Sequence, residues 1–162
     1  ARTVPDSGGV VFVPALAGLG APHWNDAARG TVTGMTHATL PAHLARATFE
    51  AIAHQIADVF DAMEMDIGHP LAALLADGGA SGNPFLMQVQ ADLLGRPVTT
   101  NAFEEIGAFG VAAMAMTAMG EAPRQPDSLT QFTPGPDSAL REVKRRNWSA
   151  VIAAMTPPPA HR

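Results

Sequence analysis

From Pro41 onward, apolar residues recur at helical spacing: Leu44, Ala47, Ala51, Ile52, Ile56, Val59, Phe60 and Met63 follow i, i+3, i+4, i+7 intervals. The spacing predicts one long amphipathic helix, opened by Pro41 and stopped by Gly68 and Pro70. Ahead of it, Gly9 to Pro14 (GVVFVP) is a β-branched run closed by proline, which predicts a buried strand. Gly30 to Met35 alternates short and apolar residues and predicts a second one. Residues 15–29 between them lack periodicity and read as a loop carrying Trp24 and Asn25-Asp26. After the long helix, Leu71 to Ala76 predicts a strand, and Asn83 caps a helix that runs to Leu94 with Pro84 at its first position. Val98-Thr99-Thr100 follows as a short strand. Ile106 to Met119 is a small-residue helix closed by Gly120, Pro123 to Pro136 a proline-rich connector, and Ala139 to Met155 a final helix. Strands alternating with helices predict an α/β layered domain. With so few strands, its sheet is small or has lost neighbours.

Candidate chemistry concentrates at Leu74 to Pro84 (LLADGGASGNP), where a strand, a tight turn and a helix start meet. Unpaired backbone N–H groups at such a turn favour polar or anionic ligands. Glycine there lets a ligand reach the main chain without a Cβ in the way. The pattern suits a nucleotide, and it equally suits a purely structural corner.

Composition narrows the classes. A chain of 162 residues suits one domain, and 47% hydrophobic with 15% charged residues excludes wholesale disorder. The net charge is −5, and the one basic cluster, Lys144-Arg145-Arg146, reads as a solvated helix face, so no nucleic-acid partner is expected. The absence of cysteine fits a reducing compartment, and a cytoplasmic location is expected. No apolar run approaches the roughly 18 residues of a membrane span, so no membrane partner is expected. His43 and His54 share a helix face but stand about 16 Å apart along it, so they cannot share a metal, and no metal site is expected. A dinucleotide fold is disfavoured because DGGASGN lacks G-x-G-x-x-G spacing, and Ser81 lacks the G-x-S-x-G elbow of a nucleophile. Glu50 is positioned to pair with Arg46. Met114, Met116 and Met119 are expected to pack against the sheet, with Gly107 and Gly110 permitting close approach. The start, Ala1-Arg2-Thr3-Val4-Pro5, has no signal-peptide pattern, and the chain reads as a piece of something longer.

Several motifs occur in order. VPALAGLGAPHWNDAARG begins at Val13, followed by an element with Gly30, Val32, Gly34 and Met35, and then by His43-Leu44-Ala45-Arg46-Ala47-Thr48-Phe49-Glu50. Asp77-Gly78-Gly79-Ala80-Ser81 and the segment Phe85 to Gly95 complete the set. Over Gly8 to Gly120 the chain resembles the C-terminal part of the FGGY carbohydrate kinases, and the loop GLGAPHW is most similar to members that phosphorylate glycerol. The resemblance implies an actin-like, ribonuclease H-like ATPase fold. Residues 1–155 would then be an incomplete, nucleotide-side portion of the second domain of a two-domain kinase, with 156–162 a flexible tail. It implies transfer of the γ-phosphate of ATP, with Mg2+, to a hydroxyl of glycerol, or alternatively of a pentulose or tetritol.

By position, the resemblance makes Gly79 and Asn83 nucleotide contacts, with Gly78 and Ala80 shaping the turn. The Asn83 amide suits a sugar hydroxyl or base edge, although the same group can cap its own helix. Asp77 reads as a solvated turn former without a magnesium role. The family's catalytic carboxylate, phosphate hairpin and polyol pocket lie upstream of every matched residue, so no catalytic residue is assigned and magnesium ligands are expected mostly outside this chain. Half a cleft cannot position two substrates, so the chain alone is expected to be inactive. His23, Asn25-Asp26 and Gly82 depart from the family's usual residues and bear on the acceptor more than on the fold. A non-catalytic actin-like interaction module is the rival reading. A missing N-terminal domain and a homo-oligomer are the expected partners. A domain cut from its neighbours should expose an apolar face or sheet edge and associate.

Overall fold

The computed structural model describes residues 1–101, 105–123 and 129–155. The expected tail at 156–162 lies outside them. A two-stranded antiparallel ribbon pairs β1 (Val11–Val13) with β2 (Thr31–Thr33). The 27-residue helix α1 (Pro41–Ile67) follows, with Leu40 N–H donating to His43 Nδ1 at its start and left-handed Gly68 at its end. Three strands form a second sheet in the order β3 (Leu74–Ala76), β4 (Val98–Asn101), β5 (Leu129–Phe132). Here β3 and β4 run parallel, joined through α2 (Pro84–Leu94), while β5 pairs antiparallel with β4. The helices α3 (Ile106–Ala118) and α4 (Ser138–Met155) complete the chain.

The core sits where α1 meets α2, α4 and both sheets. Val13, Ala15, Leu19, Ala51, Trp148 and Ile152 pack together under β1. Leu86, Met87, Ala91 and Val98 bury α2 against the larger sheet, with Leu74 and Phe132 at their edge. Phe49 meets Phe85 edge-to-face at 5.2 Å between ring centroids. Alanines at 47, 51, 53, 57 and 91 are fully buried, so small side chains let the helices approach closely.

Three expectations fail. The proline-rich connector contains β5, because a strand paired to only one neighbour and largely solvent-exposed carries no apolar alternation to reveal it. The methionines of α3 do not pack on the sheet. No residue of α3 is buried, Met114 and Met119 are exposed, and a Cβ at Gly107 or Gly110 would meet only open space. A helix this apolar on all sides is a buried element by type, and here its cover is absent among the described residues. The third failure is the basic cluster. Lys144 donates to Glu50 at 2.6 Å, and Arg145 bridges Asp58 at 2.8 Å and Asp61 at 2.7 Å, so two of its three residues pin α4 to α1 and only Arg146 is a solvated surface cation. The expected Arg46–Glu50 pair forms at 3.0 Å, but its carboxylate is buried and shared with Lys144.

Candidate functional site

At the C-terminal end of β3 the chain leaves the sheet through Asp77 and turns at Gly78, whose φ of 83° and ψ of 175° belong to a region essentially reserved for glycine. One 3-10 turn, Gly79–Gly82, follows, and Asn83 then opens α2. The turn is braced from within. Ser81 donates to the Gly78 carbonyl through its N–H at 3.0 Å and its hydroxyl at 2.7 Å, and Asn83 N–H donates to Ala80 at 3.2 Å. Asn83 Oδ1 accepts from Phe85 N–H at 3.1 Å and Leu86 N–H at 3.4 Å.

All four sequence-predicted site residues, Gly78, Gly79, Ala80 and Asn83, therefore lie on one corner. The free donors sit differently from the expected arrangement. The α2 N-terminus is satisfied by its own cap, and Pro84 has no N–H. The main-chain N–H groups of Gly79 and Ala80 donate to no described residue. A Cβ at Gly78, Gly79 or Gly82 would meet nothing within 4 Å, so the outer side of the turn is open to a ligand. Asn83 spends its Oδ1 on the cap and keeps its Nδ2 donors for other partners. Asn83→Ala is expected to destabilise the chain by about 1 kcal/mol through the lost cap, read as a lower urea midpoint.

Asp77 is exposed beside the corner, and among the described residues no three His, Asp or Glu side chains converge on a possible metal position. The described residues do not build a magnesium site, and no step is assigned to one.

A second constellation escaped the sequence reading. Asp58 of α1 is buried and accepts at Oδ2 from His23 Nε2 at 2.8 Å and from Trp148 Nε1 at 2.7 Å, while Arg145 reaches its Oδ1. His54 stacks flat on Trp148 at 4.9 Å, and its Nδ1 accepts from Arg145 at 3.3 Å. Burial first, and then the Arg145 charge, push the His54 imidazole down to about 3, against a smaller opposing pull from Asp58. Asn25 adds a bond from Nδ2 to the Met155 carbonyl at 3.0 Å. The hub ties the 19–25 loop to α1 and α4. Its signal was present as His54, Asp58 and Asp61 on one helix face, but nothing in the sequence told which partners would meet them. The neighbouring cavity of about 360 Å³, bordered by Ser7, Phe12, Glu50, Lys144 and Trp148, includes none of the corner residues.

The sequence model of the FGGY family of carbohydrate kinases, C-terminal domain, matches residues 1–119. The chain belongs to this family. The glycerol kinase of Oleidesulfovibrio alaskensis is 47% identical over 159 residues, covering 94% of this chain and 32% of that protein. The glycerol kinase of Alkalilimnicola ehrlichii is 50% identical over 155 residues, covering 94% and 31%. The crystal structure of Plasmodium falciparum glycerol kinase with ADP superposes with a TM-score of 0.80 at 27% identity, covering 97% of this chain and 33% of that one. This FGGY chain therefore spans about a third of the length of the curated relatives it matches. Its mixed α/β architecture is part of the actin-like, ribonuclease H-like fold of its structural neighbours. No helix among its described residues is long and apolar enough to cross a membrane.

Proposed function

We propose that residues 1–155 are the ATP-side portion of the second domain of a cytoplasmic carbohydrate kinase, one that transfers the γ-phosphate of ATP to a hydroxyl of glycerol. The observation that carries this reading is the Gly78–Asn83 corner, where two unspent main-chain N–H groups and three glycines leave the strand end open. Ligands of parallel α/β sheets bind outside the carboxyl ends of the strands, which is where this corner lies. Glycerol is preferred as acceptor because relatives named glycerol kinase match 94% of the chain at 47–50% identity. ADP in the Plasmodium structure supports the nucleotide. The catalytic base and the acceptor pocket belong to the rest of the parent protein, and magnesium arrives with the nucleotide. The chain alone is inactive because phosphoryl transfer depends on positioning both substrates.

The test uses the complete kinase. A Cβ at Gly79 meets nothing within 4 Å among the described residues, so the effect of Gly79→Val on ATP is expected to report the ligand contact. The KM for ATP is expected to rise about tenfold or more, about 1.4 kcal/mol of lost binding, with the KM for glycerol unchanged. An unaltered KM for ATP removes the corner from the site. Turnover of ATP and glycerol by the 162-residue chain alone refutes the reading of an incomplete cleft.

A further inference from the structure

The cavity of about 360 Å³ lies between the segment leading into β1, the first half of α1 and the start of α4, away from the nucleotide corner. That volume is at the small end of ligand sites, about 300–1,000 Å³, and suits one small molecule. Three polar side chains on its border are more than nine-tenths buried: Ser7 is 8% exposed, and Glu50 and His54 are 5% each. Each keeps an atom unspent. Glu50 takes both of its cations, Arg46 and Lys144, at Oε1, and no described residue donates to its Oε2. Arg145 donates to His54 Nδ1, and a guanidinium accepts nothing, so the neutral ring carries its proton on Nε2. That N–H and the Ser7 hydroxyl bond to no described residue. Among the described residues, Gln90 Oε1 is the one buried side-chain oxygen or nitrogen both partnerless and sealed from solvent. The three unspent atoms therefore open onto space, and polar atoms this deep call for water or a ligand.

The chemistry of these atoms selects the ligand. Glu50 Oε2 only accepts, His54 Nε2–H only donates, and the Ser7 hydroxyl does either. A hydroxyl group satisfies all three, because it donates and accepts at once. The charges do not favour an ion. Asp6 and Glu50 are balanced by Lys144 and Arg46, so an anion meets carboxylates and a cation meets the two basic side chains. Glu50 and His54 stand one turn apart on α1, about 6 Å along the axis, a span that a few hydroxyl-bearing carbons can bridge. Phe12 and Val143 supply apolar wall for the C–H groups of such a chain.

We propose that this cavity binds a short neutral polyol, whose hydroxyls donate to Glu50 Oε2, accept from His54 Nε2–H and meet the Ser7 hydroxyl. The site is separate from the proposed transfer of phosphate, and its readout is binding alone.

Methyl NMR during titration with xylitol, on the 162-residue chain and on the complete kinase, tests it at Leu140 and Val143, which border the cavity. Both sets of methyls should shift and saturate in both proteins, while the Ala80 methyl at the corner stays still in the short chain. Ser7→Ala removes a hydroxyl without a described partner, so it spares the fold. It should weaken xylitol about threefold or more through one lost hydrogen bond. Val143→Phe adds bulk at a position 45% exposed, and should weaken xylitol about tenfold or more, read at Leu140. A response that never saturates overturns the proposal, as does binding that ignores both substitutions. Tighter binding of 1,4-diaminobutane or glutarate than of xylitol overturns the neutral polyol as the ligand class. Saturation in the short chain but not in the complete kinase also sinks it, because the rest of the parent protein then fills the cavity.

Discussion

Asp58→Ala is expected to cost the chain about 3–5 kcal/mol, measured as a shift in the urea unfolding curve. The carboxylate is buried and accepts from His23 and Trp148 while facing Arg145. Its removal leaves the indole N–H of a fully buried Trp148 without an acceptor and strips Arg145 of one of its two carboxylate partners. An unsatisfied buried donor alone costs about 1–3 kcal/mol, and the guanidinium, left with Asp61 as its remaining carboxylate partner, adds to it. Asp58→Asn separates the contributions: its amide oxygen still accepts from Trp148, but it offers Arg145 no charge. The asparagine variant should fall between wild type and alanine. If alanine costs no more than a surface substitution, about 0.5 kcal/mol, the hub does not hold α1, α4 and the loop together.

Acid should unfold this chain earlier than its carboxylates require. His54 has an imidazole at about 3 in the folded chain against an ordinary 6.5. Between those values the unfolded state binds a proton that the folded state refuses. Stability is therefore complete above pH 6.5 and is lost as pH falls toward 3, with a slope of up to about 1.4 kcal/mol per pH unit. The upper part of this window, above the usual carboxylate range, is diagnostic. His54→Phe keeps a ring on Trp148 and removes the titration, so its stability should stay flat from pH 6.5 down to about 5 while wild type declines. Parallel pH profiles for the two proteins would show that burial of His54 does not govern acid sensitivity.

The open side of α1 shows where sequence legibility stops. Periodicity placed the helix from Pro41 to the Gly68 stop, and the structure agrees. It also marked Ile52, Val59 and Met63 as one apolar face with Ala47 and Ala51, although only the alanines are buried. Hydrophobic spacing records which face wants cover. It says nothing of whether the covering element lies within the same residues. For α3 the same limit applies more severely, since a helix apolar on every side gives no preferred face to assign.

The sequence by itself determined the local architecture around the corner: a strand end, a turn that only glycine can make at Gly78, and a helix opened by Asn83 and Pro84. These follow from backbone sterics and capping, which act over a few neighbouring residues. Tertiary structure alone decided that Lys144 and Arg145 are structural cations, that Leu129–Phe132 is a strand, and that Asp58 gathers His23, Trp148 and Arg145. Those contacts join residues far apart in sequence, where the partner is chosen by the packing of whole elements. The identity of a side chain states what bonds it can make, and only the fold states which group comes within reach.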